Sequence, residues 1–429
     1  MANICITGIW HQGSVVSACL ADLGHYVIGV CSHETAQTLN AGNPPVYEPG
    51  LPEMLKRNLE AGRLQYTTDY AQGLAGADLV FICTDTPVDT NDDSDLSSIY
   101  DIAQHIGQHL DHDLVLCVTA QVPIGTSSEL AGILTGLTPA YQGGVAYIPE
   151  FLRLGIAVES FVKADRFVIG CDDFAVARRL AEIYGPLGRP VVFTDIRSAE
   201  MAKHASNAFL ATSISFINEM ADLCESLGAN ASEVSRILKL DQRIGRHAFL
   251  SPGLGFAGGT LGREIRALQK LGSARAISTP LMDAVWQINS RRPQLISHRL
   301  NALIGALTAC QIGILGLTYK AGTSTMRRAV SLQIIGDLAA KGARIRAFDP
   351  LANLDEIEEP PPMEICADPY KVAQGSQALV LVTEWAGLEE LDFPRMRREM
   401  HGDLFLDTRN LLDPARMRAD GFRYFGIGR

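Results

Sequence analysis

The chain has 429 residues, too many for one compact core, and a domain for roughly every 100–200 residues predicts two or three. With 47% hydrophobic and 20% charged residues it has an ordinary globular composition, and no apolar run approaches the roughly 18 residues needed to cross a bilayer. A formal net charge of -11 speaks against nucleic acid or an anionic membrane as partner, yet helix N-termini and a few local basic residues can still hold an anionic small molecule. The nine cysteines are scattered and never spaced C-x-x-C, which predicts reduced thiols and no metal site. Met1 to Gly8 runs into a β-rich apolar stretch with no basic leader, which predicts a cytoplasmic protein.

The first half alternates short apolar strands with helical stretches. Strands are predicted at 3–7 and 26–30, flanking a helix over 14–23 that ends at Gly24, a suitable C-cap. Further strands follow at 78–83, 114–119, 145–148, 167–169 and 191–194, mostly apolar on both faces as buried parallel strands are. From about Ser198 the pattern becomes helical, through Met201, Ala205, Ala208, Phe209, Thr212, Phe216 and Met220, and it persists to about His298. Alternation restarts at 312–315, with a helix over 330–341 closed by Gly342 and strands at 344–348, 378–382 and 404–406. The expected fold is α/β: two Rossmann-like doubly wound domains joined by a central helical connector.

Gly8-Ile9-Trp10-His11-Gln12-Gly13 occupies the place of a dinucleotide fingerprint G-x-G-x-x-G. Gly8 and Gly13 supply its first and third glycines, but Trp10 replaces the middle one, so its side chain must crowd the pyrophosphate or turn outward. The acid that would bind the adenosine ribose is expected at the end of the second strand, where the chain reads Cys31-Ser32-His33-Glu34. Glu34 can take that place, or Ser32 and His33 can accept a 2′-phosphate; a turn that no longer binds a dinucleotide is the alternative. A second glycine-rich turn, Gly255-Phe256-Ala257-Gly258-Gly259-Thr260-Leu261-Gly262-Arg263-Glu264, is built for close approach of backbone to a ligand and presents the Thr260 hydroxyl.

Several further stretches carry a resemblance. Tyr47-Glu48-Pro49-Gly50-Leu51, Ile148-Pro149-Glu150-Phe151-Leu152-Arg153, Lys203-His204-Ala205-Ser206-Asn207, Ser215-Phe216-Ile217-Asn218-Glu219 and the 255–264 turn come first. Gly316-Leu317-Thr318-Tyr319-Lys320 with Arg327, Thr383-Glu384-Trp385 and Asp407-Thr408-Arg409-Asn410 follow. In this order the chain resembles the UDP-glucose/GDP-mannose dehydrogenase family along nearly its whole length. The resemblance implies an NAD-binding domain over 1–197, with NADP left open, a central helical dimerisation domain over 198–298, and a nucleotide-sugar-binding domain over 299–429. It also implies a UDP-sugar substrate and a homodimer.

Residue by residue, the resemblance implies that Lys203 and Asn207, four apart on one helix face, stabilise an alkoxide or oxyanion and orient water. Glu150 matches the family's glutamate near thioester hydrolysis, and Glu264 stands where the family has an aspartate. Thr86, Gln121 and Arg327 fall among cofactor-contacting positions. Phe151, Leu152, Arg153, Phe256, Gly258, Lys320 and Arg409 fall among substrate-contacting ones, and Arg243 matches an arginine that reaches the sugar from a partner subunit.

The departures cluster at the chemistry. Thr260 replaces the nucleophilic cysteine, Gln121 a threonine, and Leu154 a second glutamate. A thiol is partly ionised and strongly nucleophilic near neutral pH, whereas a threonine hydroxyl needs an adjacent base, and no histidine stands in the nearby motif. A thioester is therefore not expected, while a first hydride transfer needs only an alcohol, a proton acceptor and a nicotinamide. The leading expectation is a two-electron nucleotide-sugar oxidoreductase, with oxidation within an epimerisation included. Its alternatives are a non-catalytic nucleotide-sugar-binding protein and a four-electron dehydrogenase acting through a hydrated aldehyde.

Overall fold

The computed structural model describes residues 1–87 and 94–429. The chain divides into two compact units, Met1–Ala205 and Ser206–Arg429. The first is built on eight strands, β1 (Asn3–Thr7), β2 (Tyr26–Val30), β3 (Leu64–Thr67), β4 (Leu79–Ile82), β5 (Val115–Val118), β6 (Val145–Tyr147), β7 (Phe167–Gly170) and β8 (Val191–Thr194). They lie in the order β3-β2-β1-β4-β5-β6-β7-β8. All pair in parallel except β6 with β7, which meet antiparallel at Tyr147 and Gly170. Successive side chains point to opposite faces. Ile4, Ile6, Leu79 and Phe81 pack into one core, and Cys5, Val80 and Ile82 into another on the other face. Burying each such side chain is worth about 1.5–3 kcal/mol, which is why the central strands are apolar throughout.

Edge strand β8 differs from the expected buried strand. Val192 and Phe193 are exposed there, and Phe193 meets Phe174 edge-on, because an edge strand has only one neighbour to cover it. Strand β3 was not predicted, nor were the later strands Glu364–Ile365 and Arg423–Gly426: their mixed polar and apolar residues lack the fully apolar signature.

The second unit contains a six-stranded, wholly parallel sheet in the order β11-β10-β9-β12-β13-β14. Its strands are β9 (Gln311–Leu315), β10 (Arg344–Phe348), β11 (Glu364–Ile365), β12 (Ala378–Leu381), β13 (Leu404–Asp407) and β14 (Arg423–Gly426). Its two faces again separate, with Ile312, Ile314, Val380 and Leu406 in one core and Leu315, Leu379, Leu381 and Phe405 in the other. The helix Ile196–Leu227 runs from the first unit into the second, and Ala231–Leu240, Leu261–Ala274 and Pro280–Ile304 complete the helical stretch. The architecture is thus two doubly wound α/β sheets with helices between them in sequence. Among the described residues no helix is long and apolar enough to cross a membrane.

Candidate active site

In the first unit the strand order reverses between β1 and β4, and a ligand crevice is expected outside the carboxyl ends of the strands at such a point. A cleft of about 490 Å³ lies there, bounded by the loops after β1, β2 and β4. Gly8 turns the chain out of β1 with φ +72, and a Cβ on it would lie 2.4 Å from the Thr84 nitrogen, so only glycine fits. Trp10 lines the cleft and is 49% exposed, and its carbonyl starts the helix His11–Asp22. Gln12 anchors this loop to the end of β5 through Thr119 Oγ1 at 2.8 Å. Glu34 is exposed on the first turn of the helix His33–Asn40 and does not line the cleft; Cys31, Ser32 and Thr35 do. Thr86 and Gln121 are brought together, the threonine hydroxyl donating to the Gln121 carbonyl at 2.9 Å.

A second group of this unit gathers around Glu150. Lys203, 8% exposed on the helix Ile196–Leu227, donates its ammonium to the Glu150 carbonyl and lies 3.8 Å from the carboxylate. The ammonium also lies 5.1 Å from the centre of the Phe151 ring, whose environment includes the Arg166 guanidinium at 4.7 Å. Burial pushes the Glu150 carboxyl above the ordinary carboxylate range, with Lys203 and His11 opposing and Asp85 adding to the rise. Leu152 donates its backbone N–H to the Glu150 carboxylate, and Phe151 and Leu152 line a small cavity of about 50 Å³ with Glu150 and Gln12. Arg153 points to solvent and reaches Asp165 only at 3.9 Å.

Sequence reasoning missed the pair that holds this loop. His11 Nε2 lies 2.7 Å from Glu48 Oε1, and the fully buried Glu48 carboxylate also accepts the backbone N–H groups of Gly155 and Ala157, each at 2.8 Å. The fingerprint turn and the segment after Glu150 are thereby fastened to one carboxylate. The signal was present in the Tyr47–Leu51 stretch, but not its partner 37 positions away.

In the second unit the 255–264 turn is shaped by side chains from other helices. Asn289 accepts from the Phe256 N–H at 2.8 Å and donates to the Phe256 carbonyl at 3.0 Å. Arg292, 2% exposed and paired with Asp222 at 2.7 Å, donates to the Gly253 carbonyl at 3.0 Å, and Asn218 accepts from the Gly253 N–H at 2.8 Å. The Gly258 N–H bonds to the Arg328 carbonyl at 3.1 Å, where Arg328 itself has φ +54. Asn289 and Arg292 were also missed; two polar residues three apart on one helix face were the available sign. Thr260 sits at the N-cap of the helix Leu261–Ala274, exposed, and its hydroxyl makes no capping bond. Glu264, in the first turn, is buried at 1% exposure. Asn207 is 8% exposed, and its Nδ2 has no hydrogen-bond partner among the described residues. Arg243 is 89% exposed and paired with Asp241.

The C-terminal sheet has its own switch point, between β9 and β12. The loops that leave its strands there carry Thr318 to Lys320, Thr383 to Trp385 and Arg409. Asp349 ties the first two together, accepting from the Leu317 and Thr318 N–H groups and from Trp385 Nε1 at 2.9 Å. Arg409 donates to the Val382 carbonyl and pairs with Glu384 at 2.9 Å, while Lys320 lies 5.9 Å from the Tyr319 ring centre. Gly258 packs near that tyrosine: a Cβ there would lie 3.1 Å from its ring. Arg327 is exposed on the loop that follows. Among the described residues no three His, Cys, Asp or Glu side chains group as a metal site.

Comparison with known proteins finds matches in three consecutive stretches. Residues 2–188 match the NAD binding domain of the UDP-glucose/GDP-mannose dehydrogenase family, 197–291 its central domain and 313–414 its UDP binding domain. The UDP-glucose 6-dehydrogenase of Pseudomonas aeruginosa is 37% identical over 100% of this chain and 97% of its own length. The chain belongs to the UDP-glucose/GDP-mannose dehydrogenase family. The UDP-glucose 6-dehydrogenase of Bacillus subtilis called YwqF is 35% identical, with 100% of this chain and 98% of that protein covered. A UDP-glucose dehydrogenase structure from Pyrobaculum islandicum superposes with a TM-score of 0.91 at 30% identity, covering 100% of this chain and 98% of that one.

As a member of this family the chain uses NAD, and the cleft between the β1 and β4 ends fits it. Gly8 keeps the turn close, and Trp10, 49% exposed, lines the cleft. Bound there, NAD supplies the hydride acceptor that a family dehydrogenase requires.

Proposed function

We propose that this family dehydrogenase carries out a two-electron oxidation of an alcohol on a UDP-sugar, with Lys203 and Asn207 holding the reacting oxygen. The chain is an oxidoreductase of the UDP-glucose/GDP-mannose dehydrogenase family, and its match to the UDP binding domain of that family supports a UDP-sugar as substrate. The observation that carries the two-electron reading is Thr260: the glycine-rich turn presents a hydroxyl at a helix N-cap, where a thiol would be the nucleophile of a thioester route. A helix N-terminus lowers a thiol's pKa into a useful range but leaves a threonine hydroxyl un-ionised.

The chemistry then rests on two donors. As the substrate hydroxyl loses its proton to water, negative charge grows on its oxygen. The Lys203 ammonium and the Asn207 amide donate to that oxygen, a preorganised electrostatic arrangement. The unpaired, buried Nδ2 of Asn207 supports this role, because a buried donor without a partner is costly unless a ligand satisfies it. Arg243, exposed on its loop, is assigned to the sugar bound by the other protomer of a homodimer. That dimer is supported by a stripe of exposed apolar side chains, Phe209, Phe216, Leu223 and Leu227, that recurs along one helix.

A four-electron reaction through a hydrated aldehyde is favoured by one feature, the buried Glu264 carboxylate in the first turn of the helix that Thr260 begins, which can orient a diol. Replacement of Thr260 by cysteine separates the two. With the two-electron reading, T260C gains uronic acid as product over the parent chain, detected by mass. Uronic acid formed by the parent chain in the same amount as by T260C would contradict it.

A further inference from the structure

Cofactor discrimination in a doubly wound sheet is decided at the end of the second strand. With the order β2-β1-β4, the loop after β1 takes the pyrophosphate and the adenosine ribose lies over the end of β2. A carboxylate there binds the ribose hydroxyls of NAD and repels the added phosphate of NADP by like charge.

Among the described residues no carboxylate lines that side of the cleft. Beyond Val30 the cleft is lined by Cys31, Ser32 and Thr35, and after β3 by Thr68 and Tyr70. Ser32 caps the helix His33–Asn40: its Oγ accepts from the Thr35 N–H at 3.3 Å and donates to Thr35 Oγ1 at 2.9 Å. That cap fixes where the helix starts and so places Glu34 on its exposed flank, outside the lining. Cys31 is half-buried and uncharged at neutral pH, since burial pushes its thiol up to about 11. Asp85, which does line the cleft, follows β4 on the far side of the switch point. The described residues on that side of the cleft thus offer hydroxyls, from Ser32, Thr35, Thr68 and Tyr70, and a neutral thiol.

The geometry points to a cofactor cleft that does not discriminate against a 2′-phosphate, so that NADP binds about as tightly as NAD. The inference rests on the dinucleotide-binding reading of this unit and concerns Ser32 and Thr35 as the groups that meet the phosphate. Hydroxyl and backbone donors at a helix start are suited to that contact.

Trp10 provides a readout independent of turnover, because its indole lines the same cleft. The full chain is titrated with NADH and, separately, with NADPH at fixed ionic strength, following quenching of tryptophan emission and transfer to the nicotinamide. The expected dissociation constants agree within about threefold, a free-energy difference of less than ~1 kcal/mol. S32D, which installs the missing charge on an exposed residue, is expected to raise the NADPH-to-NADH ratio of dissociation constants at least about tenfold. E34Q is expected to leave that ratio within about threefold. NADPH binding more than about tenfold weaker than NADH in the parent chain overturns the inference. So does an E34Q variant that loses NADH affinity while gaining NADPH affinity, which would make Glu34 the ribose ligand. Binding of neither nucleotide overturns the dinucleotide reading itself and is distinguished by the absence of any quenching.

Discussion

The Lys203 ammonium lies 3.8 Å from the Glu150 carboxylate while donating to the Glu150 backbone carbonyl, so one buried cation is held by both ends of the same residue. This sets the charge state of the loop. The carboxyl of Glu150 is raised by burial above its ordinary value of 4.5, and Lys203 and His11 only partly oppose that rise.

A raised carboxyl takes up its proton at a higher pH than an ordinary one as the solution is acidified. If the ionised Glu150 supports turnover, kcat/KM falls on the acid side with a midpoint above 4.5. Removing an opposing positive charge raises the carboxyl further, so H11Q shifts that acid limb to higher pH. Initial rates across pH for both chains check the sign, and a shift to lower pH would contradict it.

Replacing the ammonium itself should be far more damaging. Loss of one preorganised donor to a developing oxyanion costs roughly 100- to 1,000-fold in kcat, and K203M is expected to fall at least that far. N207A should lose less, about 10- to 100-fold, since a neutral donor contributes less than a charged one. Nicotinamide fluorescence titration should still show cofactor bound to K203M, which separates a chemical defect from misfolding. Unchanged rates would remove Lys203 from the mechanism.

The glycine-rich turn gives a stability prediction. N289A removes both hydrogen bonds to the backbone of Phe256, which is only 8% exposed. The expected loss is about 1–3 kcal/mol in denaturant unfolding, together with reduced turnover because Thr260 lies four residues along the same turn. N289D keeps the acceptor but not the donor, and should lie between the two.

Much of the fold was legible because strands buried on both faces must be apolar at every position. Ile4, Cys5 and Ile6 feed two separate cores from one strand, and Leu379, Val380 and Leu381 do the same in the second sheet. Strands at sheet edges escape this rule: β8 is apolar yet exposed, and β3 alternates. At the site, helical spacing put Lys203 and Asn207 on one helix face, but only the family resemblance singled them out. Contacts that close over long separations were not: Asn289 reaches back 33 residues to Phe256, and Glu48 is bound by groups 107 and 109 residues on. Glu34 shows a subtler limit. Its sequence position suits a ribose ligand, but the Ser32 cap decides which way the following residue faces.

The dimer reading is open to a direct change of surface. Phe209 is 71% exposed on the helix Ile196–Leu227, with Phe216, Leu223 and Leu227 continuing the stripe. F209E places a charge on that stripe and is expected to shift the protein toward monomer in sedimentation velocity, with the far-ultraviolet spectrum unchanged. Turnover should fall with it, since Arg243 is assigned to the partner's site. A parent chain that sediments as a monomer would contradict the assignment.

The most direct measurement counts reduced cofactor against sugar consumed, with product mass read in parallel, for UDP-glucose and related UDP-sugars. The account predicts one reduced nicotinamide per sugar and a product lighter by two hydrogens. Two reduced nicotinamides per sugar with a carboxylic acid as product would contradict it, and would mean that Thr260 serves a four-electron oxidation without a thiol.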